Sequence, residues 1–210
     1  MDLNVSNNCI ADLSALLGMS PPMGFFFVTA DMNPLSDTAI NVQIPQLQGN
    51  GVTVDFTTYS DANCPVTIPD PGLDAAIRDN LGIGPADPIF KGPLAGITIL
   101  EADNRGIADL TGLEYCTALF TLYADGNQIS DLTPLQGLTN LYSLYLGGSQ
   151  ISDLTPLQGL INLNTLALQE NNISDLTPLQ GLTNLRHLLL YTNQISDITP
   201  LQGLINLFTL

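Results

Sequence analysis

Positive charge is what this chain has least of. Against twenty Asp and Glu it carries four bases, Arg78, Lys91, Arg105 and Arg186, for a formal charge of −16. With no basic patch to displace counterions, nucleic acid is excluded as a partner, and an anionic membrane surface is unfavourable for the same reason. Histidine is reduced to His187, which excludes HExxH zinc sites and two-histidine metal centres. The three cysteines, Cys9, Cys64 and Cys116, show no CxxC and no ligand spacing, and an odd count so dispersed is not a disulfide framework. A Cys9–Cys64 bridge stays open as an alternative, while Cys116, in LEYCTAL, is expected to fill the core as a small apolar residue. The longest apolar run, Met23 to Ala30, falls far short of the roughly 20 residues of a membrane span, so no membrane insertion is expected. Met1 is followed by Asp2 and Asn4, so no signal peptide is visible. There is no GxSxG, no P-loop and no GxGxxG; Gly82-Ile83-Gly84 follows a predicted helix and reads as a cap and turn. No catalytic residue, metal or cofactor is expected.

What is there is a repeat. ISDLTPLQGL stands at 129–138, 151–160 and 173–182, and again at 195–204 with Ile198 in place of leucine. A period of 22 residues is one supersecondary unit of a solenoid. Leu119, Leu141, Leu163, Leu185 and Leu207 keep the register, and Leu144-Tyr145-Leu146 alternates as a short strand with its leucines turned inward. Ile151, Leu154, Leu157 and Leu160 bring the chain back along the opposite wall. In that return, Thr155-Pro156 fits a helical cap followed by proline at the first helical position. A lone coil cannot bury enough to fold, but stacked coils bury each other's faces. With 45% apolar residues, disorder of the polar, highly charged kind is excluded. Asn127, Asn171 and Asn193 stand in the turn after the strand, where they are expected to form a structural ladder by bonding neighbouring backbone; Ser149 breaks the column and should bond less completely. The aspartate of each coil, at 109, 131, 153, 175 and 197, reads as solubility and inherited repeat letters.

These registers resemble the leucine-rich repeat family, specifically its 22-residue internalin-like bacterial type, over residues 96–210. The resemblance implies an α/β solenoid with a curved parallel sheet on the concave face and short 3₁₀ or irregular segments on the convex side. It also implies a secreted or cell-surface location.

The N-terminal third follows the same grammar loosely. Leu3, Val5, Asn8 and Ile10 align with Leu144, Leu146, Ser149 and Ile151, and Phe25, Val28, Ala30 and Asn33 give a second copy 25 residues on by the asparagine. Ser36 and Asp37 open a predicted helix through Leu47, stopped by Gly49 and Gly51, before a strand over Val52–Phe56. The expected organisation is therefore the closing helix and strand of a first array in 1–58, a linker in 59–66, a helical cap in 67–95 and a second array in 96–210. In the cap, Asp70 is the expected N-cap and Pro71 the first helical residue. Leu73, Ala76, Ile77 and Leu81 share a face, and Gly82 lies past the end. Arg105 replaces the turn asparagine in the first coil, as suits a capping repeat. A start in mid-coil and a stop at Leu210 in mid-strand read as a fragment of a longer protein.

Function is expected on the outward strand residues. Glu101, Tyr123, Tyr145, Ala167 and Leu189 form one column, and Asp103, Asp125, Gln169 and Tyr191 another. At about 5 Å between coils, Tyr123 and Tyr145 stack side by side. Ala167 and Leu189 continue an apolar stripe, and Asp103 and Asp125 make an acidic edge. His187 lies at the same surface and reads as a solvated residue. A calcium ion held by Asp103, Asp125 and Glu101 is an alternative to solvated acids, but no loop cage surrounds them. Tyrosines anchor interfaces at low entropy cost. The expected function is a non-enzymatic module whose concave face binds a protein with a basic surface, or a glycan. Its anchors are Tyr123, Tyr145, Leu189 and Tyr191, with His187, Gln169 and the three acids beside them. The alternative is a spacer or stalk carrying functional domains elsewhere.

Overall fold

Leu100, Leu122, Leu144, Leu166 and Leu188 stand side by side in adjacent strands, so the 22-letter period is also the step from one coil to the next. The computed structural model describes residues 2–4, 26–29, 43–49, 52–55, 62 and 64–209. The chain divides into two compact units, Met1–Pro65 with Phe90–Gly92, and Val66–Ile89 with Pro93–Leu210.

In the first unit, β1 (Asp2–Asn4), β2 (Phe26–Thr29) and β3 (Val52–Asp55) form a parallel sheet in that order, with Leu3 beside Val28 and Val28 beside Val54. Helix α1 (Ile44–Gly49) precedes β3 and buries Ile44 and Leu47. Gly49, expected to stop this helix, is its last residue. Val5, Asn8, Cys9, Ile10, Phe25, Ala30, Asn33, Ser36, Asp37 and Phe56, which the sequence places in a first array, lie outside the described residues. Cys64 is disulfide-bonded, in line with the alternative that a bridge forms at this cysteine: separation along the chain does not limit approach once the chain is coiled. Within the segment read as a linker, Pro65–Val66 forms a short strand, β4.

In the second unit, α2 (Pro71–Leu81) begins as its sequence dictates. Asp70 is extended at the N-cap, its side chain accepts from the Gly72 and Leu73 N–H groups, and Pro71 is the first helical residue. Gly82 ends the helix in the left-handed region at φ 66°, where a side chain would be strained. Leu73, Ala76 and Ile77 are buried and Leu81 partly so. The helix lies close against the first coil, for a Cβ added at Gly72 would stand 2.5 Å from the Arg105 carbonyl oxygen. Strand β5 (Ile89–Phe90) and helix α3 (Lys91–Ala95) lead on to the array.

The array is a solenoid. Strands β6 (Ile99–Glu101), β7 (Thr121–Tyr123), β8 (Ser143–Tyr145), β9 (Thr165–Ala167) and β10 (His187–Leu189) form one parallel sheet in sequential order. Each return passes through a 3₁₀ turn, at Leu113–Tyr115, Thr133–Leu135, Thr155–Leu157, Thr177–Leu179 and Thr199–Gly203. The coil interiors are packed with aliphatic side chains: Ile129, Ile151 and Ile173, and Leu135, Leu157 and Leu179, are 0% exposed. Cys116 is free and buried among them. Burial pushes its thiol up to about 12, with the charge of Glu114 adding to the effect.

Two local readings are corrected. Thr155 is not the cap of its turn: the cap position is Leu154, which makes no side-chain bond. The capping group is Asp153, whose Oδ1 accepts the Thr155 N–H at 2.8 Å, and Asp131, Asp175 and Asp197 do the same for Thr133, Thr177 and Thr199. The aspartate of these four coils therefore has a structural task beyond solubility, an Asx turn that starts the 3₁₀ segment. Hydrogen bonds from the threonine hydroxyl, and then from its N–H, hold these four carboxyls below the ordinary value.

Candidate binding face

The residues expected to bind lie on the outward face of β6–β10 and in the turns that follow. Tyr123 and Tyr145 are register partners, and their rings stack at a centroid distance of 4.8 Å and an interplanar angle of 12°. Glu101 is exposed beside Tyr123, and Leu189 is half-buried two coils on from Tyr145. Ala167, expected to continue the apolar stripe, is 3% exposed. It forms a floor between Tyr145 and Leu189, because a methyl group is too short to reach past its neighbours. Tyr191 is 59% exposed. His187 is half-buried, with Nδ1 3.2 Å from Thr209 Oγ1 and its ring edge-on to Phe208.

The acidic edge is partly committed to backbone. Asp103 Oδ1 accepts the Asp125 N–H at 2.8 Å, and Asp125 Oδ1 accepts the Gly147 N–H at 2.6 Å. Burial pushes the Asp125 carboxyl up, the Gly147 bond pulls it down, and the charge of Asp103 pushes it up again; the net effect is upward. Among the described residues no group of three or more His, Cys, Asp or Glu stands together as a metal site. Gln169 is not held out to a partner. Its amide folds over Gly147, where a Cβ would collide with Nε2, and its Oε1 is buried without a hydrogen-bond partner.

The asparagine ladder runs beneath the turns. Asn127 Oδ1 accepts the Arg105 and Ile107 N–H groups, and its Nδ2 donates to the Ala102 and Ala124 carbonyls. Asn171 accepts from Ile151 and donates to Leu146 and Leu168; Asn193 accepts from Ile173 and donates to Leu168 and Leu190. Each side chain thus ties its own coil to the one before. Ser149 is too short to reach, and its Oγ is buried without a partner.

A second ladder and a second aromatic pair escape the sequence reading. Asn140, Asn162, Asn184 and Asn206 each donate Nδ2 to a carbonyl of the preceding coil, at Thr117, Thr139, Ile161 and Thr183. One step before the strands, Phe120 and Tyr142 stack at 4.9 Å and 5°, and are 48% and 39% exposed. Strict alternation hides them. The Phe120 carbonyl accepts the N–H groups of both Tyr142 and Ser143, and the same doubling recurs at Thr98, Tyr142 and Asn164. Two consecutive N–H groups on one carbonyl break the period of two, as in a bulge, so the residue before each strand reaches the outer surface, while Thr121 after Phe120 stays buried. The sequence signal is the paired variable letters inside LxxL, which a strictly alternating reading halves. These residues line a groove of about 720 Å³ along the flank of the sheet, with Ile99 near one end and Arg186 near the other.

A family model for leucine-rich repeats matches residues 117–159 and 161–203. Among solved structures, internalin C2 of Listeria monocytogenes is 38% identical over 66% of this chain and 72% of that one, with a TM-score of 0.53. The internalin InlF of the same organism is 34% identical over 67% of this chain and 48% of its own, at a TM-score of 0.58. The functional domain of its InlJ, which includes a cysteine ladder, is 26% identical over 65% of this chain and 30% of its own, at 0.59. The chain thus spans about half of the InlF structure and under a third of the InlJ one. No curated protein matches the chain significantly. No helix among the described residues is long and apolar enough to cross a membrane.

Proposed function

Since the chain belongs to the internalin family of leucine-rich repeat proteins, we propose that it is a non-enzymatic protein-binding module of a bacterial secreted or cell-surface protein. Residues 67–95 would serve as the helical cap of its binding array, and residues 1–58 as the closing part of another. The partner docks on the outward sheet face, with Tyr123, Tyr145, Leu189 and Tyr191 as anchors. Glu101, Asp103 and Asp125 favour a basic surface on that partner, and the overall charge of −16 speeds its approach.

The observation that supports this reading best is the Tyr123–Tyr145 stack. Two large rings already held in place lose little entropy when a partner covers them. Stacking covers one face of each ring and leaves the edges and outer faces of the pair to a partner. The spacer reading draws support from the uniform Thr-Pro-Leu returns, since lengthening by duplication needs no surface diversity.

The test is selection of binders from a displayed library of extracellular protein domains, followed by affinity measurement with the Tyr123→Ala/Tyr145→Ala variant. Loss of binding with an unchanged circular dichroism spectrum supports the module. Undiminished affinity contradicts the site, and a library that yields no binder favours the spacer.

A further inference from the structure

The groove beside the sheet has a different character from the face just described. At one end Ile99, Phe120 and Tyr142 are 50%, 48% and 39% exposed, an apolar surface on a chain dominated by acids. At the other end stands Arg186. The other two arginines are matched, Arg78 with Asp74 at 2.6 Å and Arg105 with Asp79 at 2.9 Å. Arg186 is exposed and has no acidic partner among the described residues. In a chain with twenty acids and four bases, an unmatched guanidinium at the end of an apolar groove is a selective feature, because it can take a carboxylate in a two-pronged hydrogen bond. Between the two ends lies Asn164, whose Nδ2 donates to the Asn184 carbonyl at 3.4 Å and whose Oδ1 can accept a peptide N–H.

We propose that this groove binds an extended peptide segment of a partner protein, one that carries an apolar side chain and a carboxylate a few residues away. Tyr142 and Arg186 are two coils apart, about 10 Å at sheet spacing, so the two groups stand roughly two to four residues apart along an extended chain. A multiply charged phosphate or sulfate meets stronger repulsion from the −16 background than a single carboxylate does. The site shares none of the four anchor residues of the proposed sheet-face interface and stands or falls separately from it.

The experiment is an NMR titration of the whole chain with synthetic Gly/Ser peptides of about eight residues, each carrying one Leu and one Glu at stepped separations. The expected result is shift changes centred on Phe120, Tyr142, Asn164 and Arg186, strongest when the two residues are roughly two to four apart. Arg186→Glu should weaken binding about fivefold or more, the scale of an exposed ion pair and its reversal. A peptide with Lys in place of Glu should recover affinity for that variant. Phe120→Ser/Tyr142→Ser should remove binding, and Tyr123→Ala/Tyr145→Ala should leave it unchanged. No binding at any spacing overturns the proposal, as does binding indifferent to spacing or to Arg186→Glu. These side chains are exposed, so an unchanged circular dichroism spectrum is expected; Arg186→Gln, which removes charge without reversing it, gives a second variant and should fall between the others.

Discussion

Asp70 Oδ2 accepts the backbone N–H of Ala108 at 2.9 Å, and so binds the residue that caps a helix to the turn of the first repeat coil. The same oxygen accepts from Asp109, while Oδ1 accepts from Gly72 and Leu73. One carboxylate, 9% exposed, thus satisfies four N–H groups in two elements. Asp70→Ala leaves them without an acceptor and should cost about 3 kcal/mol, the sum of a lost cap and stranded donors. Asp70→Asn keeps one acceptor oxygen and should cost less. Chemical denaturation of the two variants against the parent measures both.

The pH dependence of that contact has a definite sign. Burial pushes the Asp70 carboxyl up, but the four N–H bonds outweigh it and hold the group below its ordinary value. A carboxyl depressed in the folded state contributes stability above its unfolded pKa of about 4 and loses it as pH falls through the lower folded value. The stability gap between parent and Asp70→Ala should therefore be full at neutral pH and close in strong acid. A gap that is constant down to that range contradicts the assignment.

Asp125 predicts the opposite sign. Its carboxyl is raised, by burial first and by Asp103 besides, so its charge is a cost to the folded state above the folded pKa. The cost disappears as pH falls below the unfolded value. Asp125→Asn, with Oδ1 still accepting from Gly147, should stabilise by about 0.5–1 kcal/mol at neutral pH, the scale of a like-charge contact near the surface. The gain should vanish in acid. Thermal melts at several pH values read this directly.

Ser149 is the weak rung of the turn ladder. Its Oγ has no partner, where Asn171 makes bonds to Ile151, Leu146 and Leu168. Ser149→Asn should stabilise by about 1–2 kcal/mol, and Asn171→Ser should cost about 2–3 kcal/mol, from the usual worth of buried hydrogen bonds and of stranded groups. A serine-to-asparagine change with no gain would mean that the ladder does not join the coils in the way described.

Much of this was legible in the letters. The leucine columns place the five strands in register because burial on both walls fixes the period, and Asp70-Pro71 with Gly82 marks α2 because cap and stop act locally. The Tyr123–Tyr145 contact follows from register alone. What escaped depends on geometry finer than the period. Phe120 and Tyr142 were missed because one carbonyl serves two N–H groups at the entrance to each strand. The coil aspartates looked decorative because their partner is a backbone N–H two residues on. Gln169 looked outward because nothing local says that Gly147 leaves a space for it to fold into. The bridge at Cys64 stays only an alternative in the letters because linear spacing carries little information about a bridge across a coiled chain.

The most direct test of sheet-face recognition is site-specific photo-crosslinking with a selected protein partner. A benzophenone side chain is placed at Tyr145 on the sheet and, in a separate protein, at exposed Gln158 on the return segment. A covalent adduct from position 145 and none from 158 is the predicted result. Adducts from 158, or equal yields from both, would contradict recognition through the sheet.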